Sequence, residues 1–122
     1  MSSVFASQTG SFATATEIVL YDENGAVVTL GASERLEVHA CYVGSLVTSG
    51  VELLQVFLDT DNDNTIDAGE VIFSAAVGAF GVNAGGPVHA LGEPGAKPHV
   101  IRTTGAGTSH TVNLYGVIRR VS

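Results

Sequence analysis

Residues 59–70, DTDNDNTIDAGE, hold five of the chain's twelve carboxylates. Asp59, Asp61 and Asp63 stand at positions 1, 3 and 5 of that stretch, Thr65 at 7, Asp67 at 9 and Glu70 at 12. A hard cation of calcium's size takes six to eight oxygens at about 2.3–2.6 Å. This spacing can supply them: side-chain oxygens from 1, 3 and 5, a backbone carbonyl from 7, an often water-mediated ligand at 9 and a bidentate Glu at 12. Carboxylates so close together repel one another and have raised pKa values when nothing positive lies between them. A divalent cation makes the same cluster attractive. The predicted chemistry is therefore Ca2+ binding by Asp59, Asp61, Asp63, Thr65, Asp67 and Glu70. Mg2+ fits less well, because it keeps its waters and seldom uses an all-protein cage. A solvated acidic turn that binds nothing is the bland alternative.

Position 6 of such loops is usually Gly, because the turn needs positive φ there; here it is Asn64, among the most tolerant of the other residues. Ile66, at position 8, is expected to turn away from the ion into the core. The flanks do not read as the paired long amphipathic helices of a calcium sensor. VFLDTDNDNTIDAGEV instead resembles the strand–loop–strand calcium segments of β-sandwich surface proteins, such as the B-type repeats of staphylococcal adhesins. The matching residues are Asp59, Asp61, Asp63, Asn64, Asp67, Gly69 and Glu70. The resemblance spans about sixteen residues and implies an ion that stiffens a module.

Other candidates are sparse. His39 and Cys41 alternate onto one face of a strand, but no third group completes a nucleophile or zinc site, so packing is the default. His89, His99 and His110 have no ligand spacing, and the loop context of His89 and His99 suggests surface or contact positions. GAGTSH at 105–110 lacks the Lys of a phosphate-binding loop and reads as a hairpin turn. With no acid–base constellation outside the acidic loop, the chain is expected not to be an enzyme.

The elements that would hold the loop read as strands. Alternation from Thr16 through Tyr21, then DENGAV, then Val28 and Leu30, predicts a hairpin with a type I′ turn at Asn24-Gly25. In RLEVHACYV, Leu36, Val38, Ala40 and Tyr42 are predicted to face one way and Glu37, His39, Cys41 and Val43 the other. VELLQVFL fits strand or helix, since Leu53, Leu54, Phe57 and Leu58 also make a helix face. EVIFSAAV begins β-like, and Val112, Leu114, Gly116 and Ile118 share a face near the C-terminus. Residues 78–98 hold six of the 15 glycines and all three prolines, and predict a long loop that contacts partners. Many short runs with Gly-containing turns predict an all-β fold, an antiparallel β-sandwich or jelly roll. Residues 1–15 are read as an uncharged N-terminal arm docked on a neighbour, or equally as an edge strand, and residues 16–122 as one domain.

Composition narrows the classes. The net charge of −7 falls to −2 once the acidic loop is set aside, so there is one acidic spot and no broad field. Five basic residues make no nucleic-acid footprint. One cysteine excludes an internal disulfide framework. No secretory signal is read at residues 1–16, and no run approaches the roughly 18–20 apolar residues of a membrane helix. Charged residues are 14% of the chain, against roughly 25% in ordinary globular proteins.

The chain as a whole loosely resembles the small, acidic, Gly-rich β-proteins that decorate bacteriophage capsids or build head fibres. The features behind this are the uncharged arm, the Gly/Pro-rich stretch and the sparse charge. The resemblance implies a virion protein whose partners are the major capsid protein or sister subunits, in a trimer or another symmetric cluster. The alternative expectation is an extracellular calcium-stiffened module that binds carbohydrate or protein.

Overall fold

The computed structural model describes residues 2–45, 51–78, 83–104 and 109–120. Ten strands are present and no helix among those residues: β1 Ser2–Gly10, β2 Thr16–Glu17, β3 Leu20–Tyr21, β4 Val27–Val28, β5 Glu34–Ser45, β6 Val51–Asp59, β7 Val71–Gly78, β8 Asn83–Leu91, β9 Lys97–Thr104 and β10 His110–Arg120. They form two antiparallel sheets, β4-β3-β1-β10-β5-β8 and β2-β9-β6-β7. Set aside the small β3–β4 hairpin, and the pairs nest: β1 with β10, β2 with β9, β5 with β8, β6 with β7. The doubled chain is then rolled so that β10 meets β5 and β9 meets β6. That winding is the jelly roll, one of the two all-β architectures the sequence predicts.

The core lies between the sheets. Leu36, Val38, Val43, Val112 and Leu114 enter it from one side, and Leu54, Val56 and Val100 from the other. Each comes from an alternating run, as period-2 side-chain placement requires. VELLQVFL is a strand, β6. Its apolar residues are consecutive toward the end because residues 56–59 are buried on both faces, whereas Leu53 and Gln55 on the outer face are half-buried. Leu54 and Val56 join the core, whereas Phe57 is buried outside that cluster, its ring stacked on His99 at 5.4 Å.

Four expectations are corrected. First, β5 does not alternate evenly. Tyr115 pairs with Ala40 and Gly116 with Val38, so His39 is an extra residue on β5. This bulge resets the phase: Leu36 and Val38 face the core below it, Cys41 and Val43 above it, and Tyr42 is exposed. His39 and Cys41 therefore do not share a face. The bulge also presses the Glu37 backbone onto β10, where a Cβ on Gly116 would overlap the Glu37 carbonyl oxygen.

Second, the stretch 78–98 is not a long loop. Within it, Asn83–Leu91 forms β8, an edge strand on β5, and β9 begins at Lys97. Pro87 is tolerated because an edge strand needs only half of its N–H groups in a ladder and a register shift interrupts pairing there. Residues 79–82 of that stretch lie outside the described residues, as do 105–108 of the predicted GAGTSH turn.

Third, the hairpin at Asn24-Gly25 exists, with Leu20 opposite Val28 and Tyr21 opposite Val27, but its turn is not type I′. Of the two central residues only Gly25 has positive φ, at 78°. The Asp22 side chain accepts the N–H groups of Asn24 and Ala26, and the Gly25 N–H donates to the Asp22 carbonyl. That holds Asn24 right-handed and makes a type I turn closed by a glycine bulge. Fourth, the alternating run from Thr16 to Tyr21 is not one strand. It crosses between the sheets at Ile18 and Val19, whose N–H groups bond the Pro98 carbonyl and the Gln8 side chain.

Ser2–Gly10, read equally as an arm or an edge strand, pairs along its length with β10 and at Phe5 with Tyr21 of β3. Phe12 follows it into the core at φ 52°, a rare conformation for a bulky residue, and its carbonyl accepts the Arg102 N–H at 2.7 Å. No helix long and apolar enough to cross a membrane is present among the described residues, which says nothing of a β-barrel.

Candidate metal centre

β6 ends at Asp59 and β7 begins at Val71, so the acidic stretch is the connection of a hairpin in the four-stranded sheet. Strand alternation puts Asp59 on the same face as Phe57. There Phe57 and Asp59 pair across to His99 and Lys97 of β9. His99 Nδ1 lies 3.0 Å from the Lys97 carbonyl and must carry a proton to bond it. Its Nε2 is 3.9 Å from Asp59 Oδ2. His99 is thus a buried strand residue; the surface position expected for it is corrected, because β9 is flanked by β2 and β6.

Asp59 is fully buried. Its Oδ2 accepts the Asn64 N–H at 2.8 Å, while Oδ1 has no hydrogen-bond partner. Asn64 adopts φ 65° and Asn62 φ 54°, so the turn takes the left-handed form for which position 6 was read as tolerant. Glu70 closes the other end. Its Oε2 accepts the Thr60 N–H and its Oε1 the Asp67 N–H, both at 2.8 Å. Its carbonyl accepts the Leu58 N–H at 3.0 Å. Asp63 Oδ1 accepts the Thr65 N–H at 3.0 Å. Ile66 is 37% exposed and does not enter the core, a further correction: the loop's turns draw their bonds from carboxylates within the loop, and none needs an apolar anchor.

Two groups of ligand oxygens result, Asp59–Asp61–Asp63 and Asp61–Asp67–Glu70, each with its atoms within 4.8 Å of one another. Asp61 belongs to both, so five acids converge on one place and could hold a metal ion. Thr65 could add only its carbonyl or hydroxyl oxygen. The carboxyl of Asp61 is pushed up to about 6, first by its contact with Asp59, then by desolvation and by Asp63 and Asp67. Asp67 is also raised, by desolvation and then by repulsion from Glu70, Asp63 and Asp59. Asp63 is lowered, mainly by its bonds from Thr65. An orphaned buried oxygen beside acids that hold their protons too tightly is a donor set suited to a hard cation.

Sequence reasoning missed one cluster. Glu52 is buried with its Oε1 3.3 Å from His110 Nε2 and 3.6 Å from Arg102 Nε. The guanidinium also donates to the Ser11 carbonyl. These residues come from β6, β9 and β10, and only a sheet register brings them together. A largely buried polar trio of this kind fixes strand register more than it adds net stability.

No family model matches the chain, and no curated protein matches it. Among solved structures, that of the infectious bursal disease virus Gx strain is similar at 14% identity and a TM-score of 0.38, over 98% of this chain and 30% of that one. This chain therefore spans less than a third of the length of that protein.

Proposed function

We propose that the chain is a non-enzymatic structural protein of a virion, of the kind that decorates a bacteriophage capsid, and that Ca2+ held by the 59–70 loop braces it. The observation that carries the calcium reading is the buried, partnerless Oδ1 of Asp59 within a five-acid cluster. Asp59, Asp61, Asp63, Asp67 and Glu70 would hold the ion, with Thr65 adding an oxygen. When bound, Ca2+ supplies positive charge that offsets their mutual repulsion. The chain's own residues already set the scaffold. Glu70 ties the loop's C-terminal end to Thr60, and Asn64 holds Asp59 in place. A structural role suits the loop's place as the connection between two paired strands, where a bound ion would brace the hairpin.

The virion reading is supported by the jelly-roll winding, an architecture used in viral capsid and lectin domains, and by the sparse charge. The expected partners are the major capsid protein and sister copies. Lectin domains share the winding, so the second reading is an extracellular calcium-stiffened module that binds carbohydrate or protein. Two measurements test the proposal. Millimolar Ca2+ raises the melting temperature and chelator reverses it; a melting temperature indifferent to both removes the ion. Co-sedimentation with capsid particles supports the virion role, and glycan binding without particle binding overturns it.

A further inference from the structure

The outer face of the six-stranded sheet carries an aromatic row that the cation loop does not account for. Register sets Phe5 beside Tyr115 and Tyr115 beside Ala40. The next row on that face is Ser7, Asn113 and Tyr42, and the next is Thr9, Thr111 and Gly44. Phe5, Tyr115 and Tyr42 are 38%, 48% and 43% exposed. Tyr21 lies 5.8 Å from Phe5 and Tyr42 lies 6.2 Å from Tyr115, ring to ring, so aromatic rings cross β3, β1, β10 and β5. None of these three rows contains a charged residue. Toward Ser3 the face reaches Glu37, which already bonds Arg119 at 3.0 Å. A hollow of about 360 Å3 opens between Phe5 and Tyr115, with Glu23 and His39 at its margin.

We infer that this face is where a second copy of the chain docks, sheet against sheet about a two-fold axis. Charge selects the occupant. A charged partner surface would lose its water against these rows and find no counter-charge. A face without charge is complementary to itself, and a two-fold contact sets the same patch on both sides. Tyrosine enrichment with charge depletion is also the composition of interface centres. The chain's −7 opposes any pairing that brings the acidic loops together. Those loops leave the opposite sheet. Pairing through the six-stranded sheets separates them by about 30 Å of stacked sheets, well beyond a Debye length of roughly 8 Å. Three rows across these four strands cover on the order of 400 Å2 per copy in projection. The pair therefore falls somewhat short of the about 1,000 Å2 of stable specific contacts, and is weak and concentration-dependent. This inference names one partner within the assembly reading and does not depend on the cation.

The test is sedimentation equilibrium of the full chain from about 1 to about 300 µM, a range suited to a contact of this size. The wild type is expected to reach two copies reversibly, and to do so more readily as salt screens the −7. Tyr115→Glu with Tyr42→Glu is expected to weaken association at least about tenfold while the melting temperature stays near that of the wild type. If that variant loses the fold, Ser7→Glu adds charge to the middle row at an exposed position and reads the same effect. Gln55→Glu, on the other sheet, leaves association unchanged. A wild type that remains a single copy at the highest concentration overturns the inference. So does an oligomer that Ser7→Glu and the tyrosine variant leave intact, an outcome under which the particle-binding reading still stands or falls on its own test.

Discussion

Asp59 gives one carboxylate oxygen to the Asn64 N–H at 2.8 Å and buries the other without a donor. The two residues thereby divide the work of the loop. Asn64 takes the left-handed conformation that turns the chain, and its amide fixes the carboxylate that faces the remaining acids. An ion-free loop is left holding charge it cannot satisfy internally.

Ligand removal should follow that division. At a hundredfold excess of Ca2+ over its Kd, linkage predicts a rise in melting temperature on the order of 10 °C for a domain of this size. Glu70→Gln retains an acceptor for one of the two amides but loses the bidentate carboxylate. It is expected to abolish most of the rise and, because its NH2 group must face the other N–H, to lower the melting temperature in chelator as well. Differential scanning fluorimetry with and without Ca2+ reads both values.

The pH dependence has a definite sign. In the ion-free fold Asp61 holds its proton up to about 6, above its ordinary value near 3.8. The stability this contributes is full below the ordinary value and is lost as pH rises through about 6. Asp67 shifts in the same direction, while Asp63, shifted down, loses its contribution only below the ordinary range. In chelator at pH 7, Asp61→Asn should therefore melt above the wild type, and the gap should close toward pH 4.5. In saturating Ca2+ at pH 7 the order should invert. An unchanged order would mean that Asp61 is not a ligand.

The bulge at His39 makes two glycines of the same sheet unequal. A Cβ at Gly116 overlaps the Glu37 carbonyl and lies 3.2 Å from the Val38 Cα, both backbone atoms that cannot swing away. Gly116→Ala is expected to cost about 2–4 kcal/mol in urea unfolding. At Gly86 a Cβ meets nothing within 4 Å, and Gly86→Ala should stay within about 0.5 kcal/mol of the wild type.

Cys41, turned inward by the same bulge, is fully buried, and burial pushes its thiol up to about 12. At pH 8 its thiolate fraction is roughly 10³-fold below that of an ordinary cysteine. Ellman's reagent should leave it unmodified in the native state and titrate one thiol in guanidinium. Rapid native labelling would show that β5 opens.

What could be read from sequence was what lies close along the chain. The 59–70 pattern and the hairpin at Asn24-Gly25 each fit within a dozen residues, and their chemistry is local. The phase of β5 was hidden, because one inserted residue at His39 exchanges the faces of Cys41 and Tyr42 without altering the run's composition. β8 was hidden by Gly and Pro, which mark loops in general yet suit an edge strand with a bulge. VELLQVFL could not be assigned because a strand whose second half is buried on both faces loses there the period that identifies it. Glu52 and His110 stand 58 residues apart and meet only through the register of three strands.

β1 has a long-range consequence for how the molecule is made. Its full-length neighbour is β10, more than a hundred residues later, whereas β3 offers it a single pairing at Phe5. During synthesis β1 must wait for β10, made long after it, before its backbone amides on that side are satisfied. Chains dominated by such distant pairings fold slowly, on millisecond-to-second timescales. During that wait its nine residues, Ser2–Gly10, form an open ribbon available to any passing β-edge, so dilution or a chaperone should raise the yield of refolding.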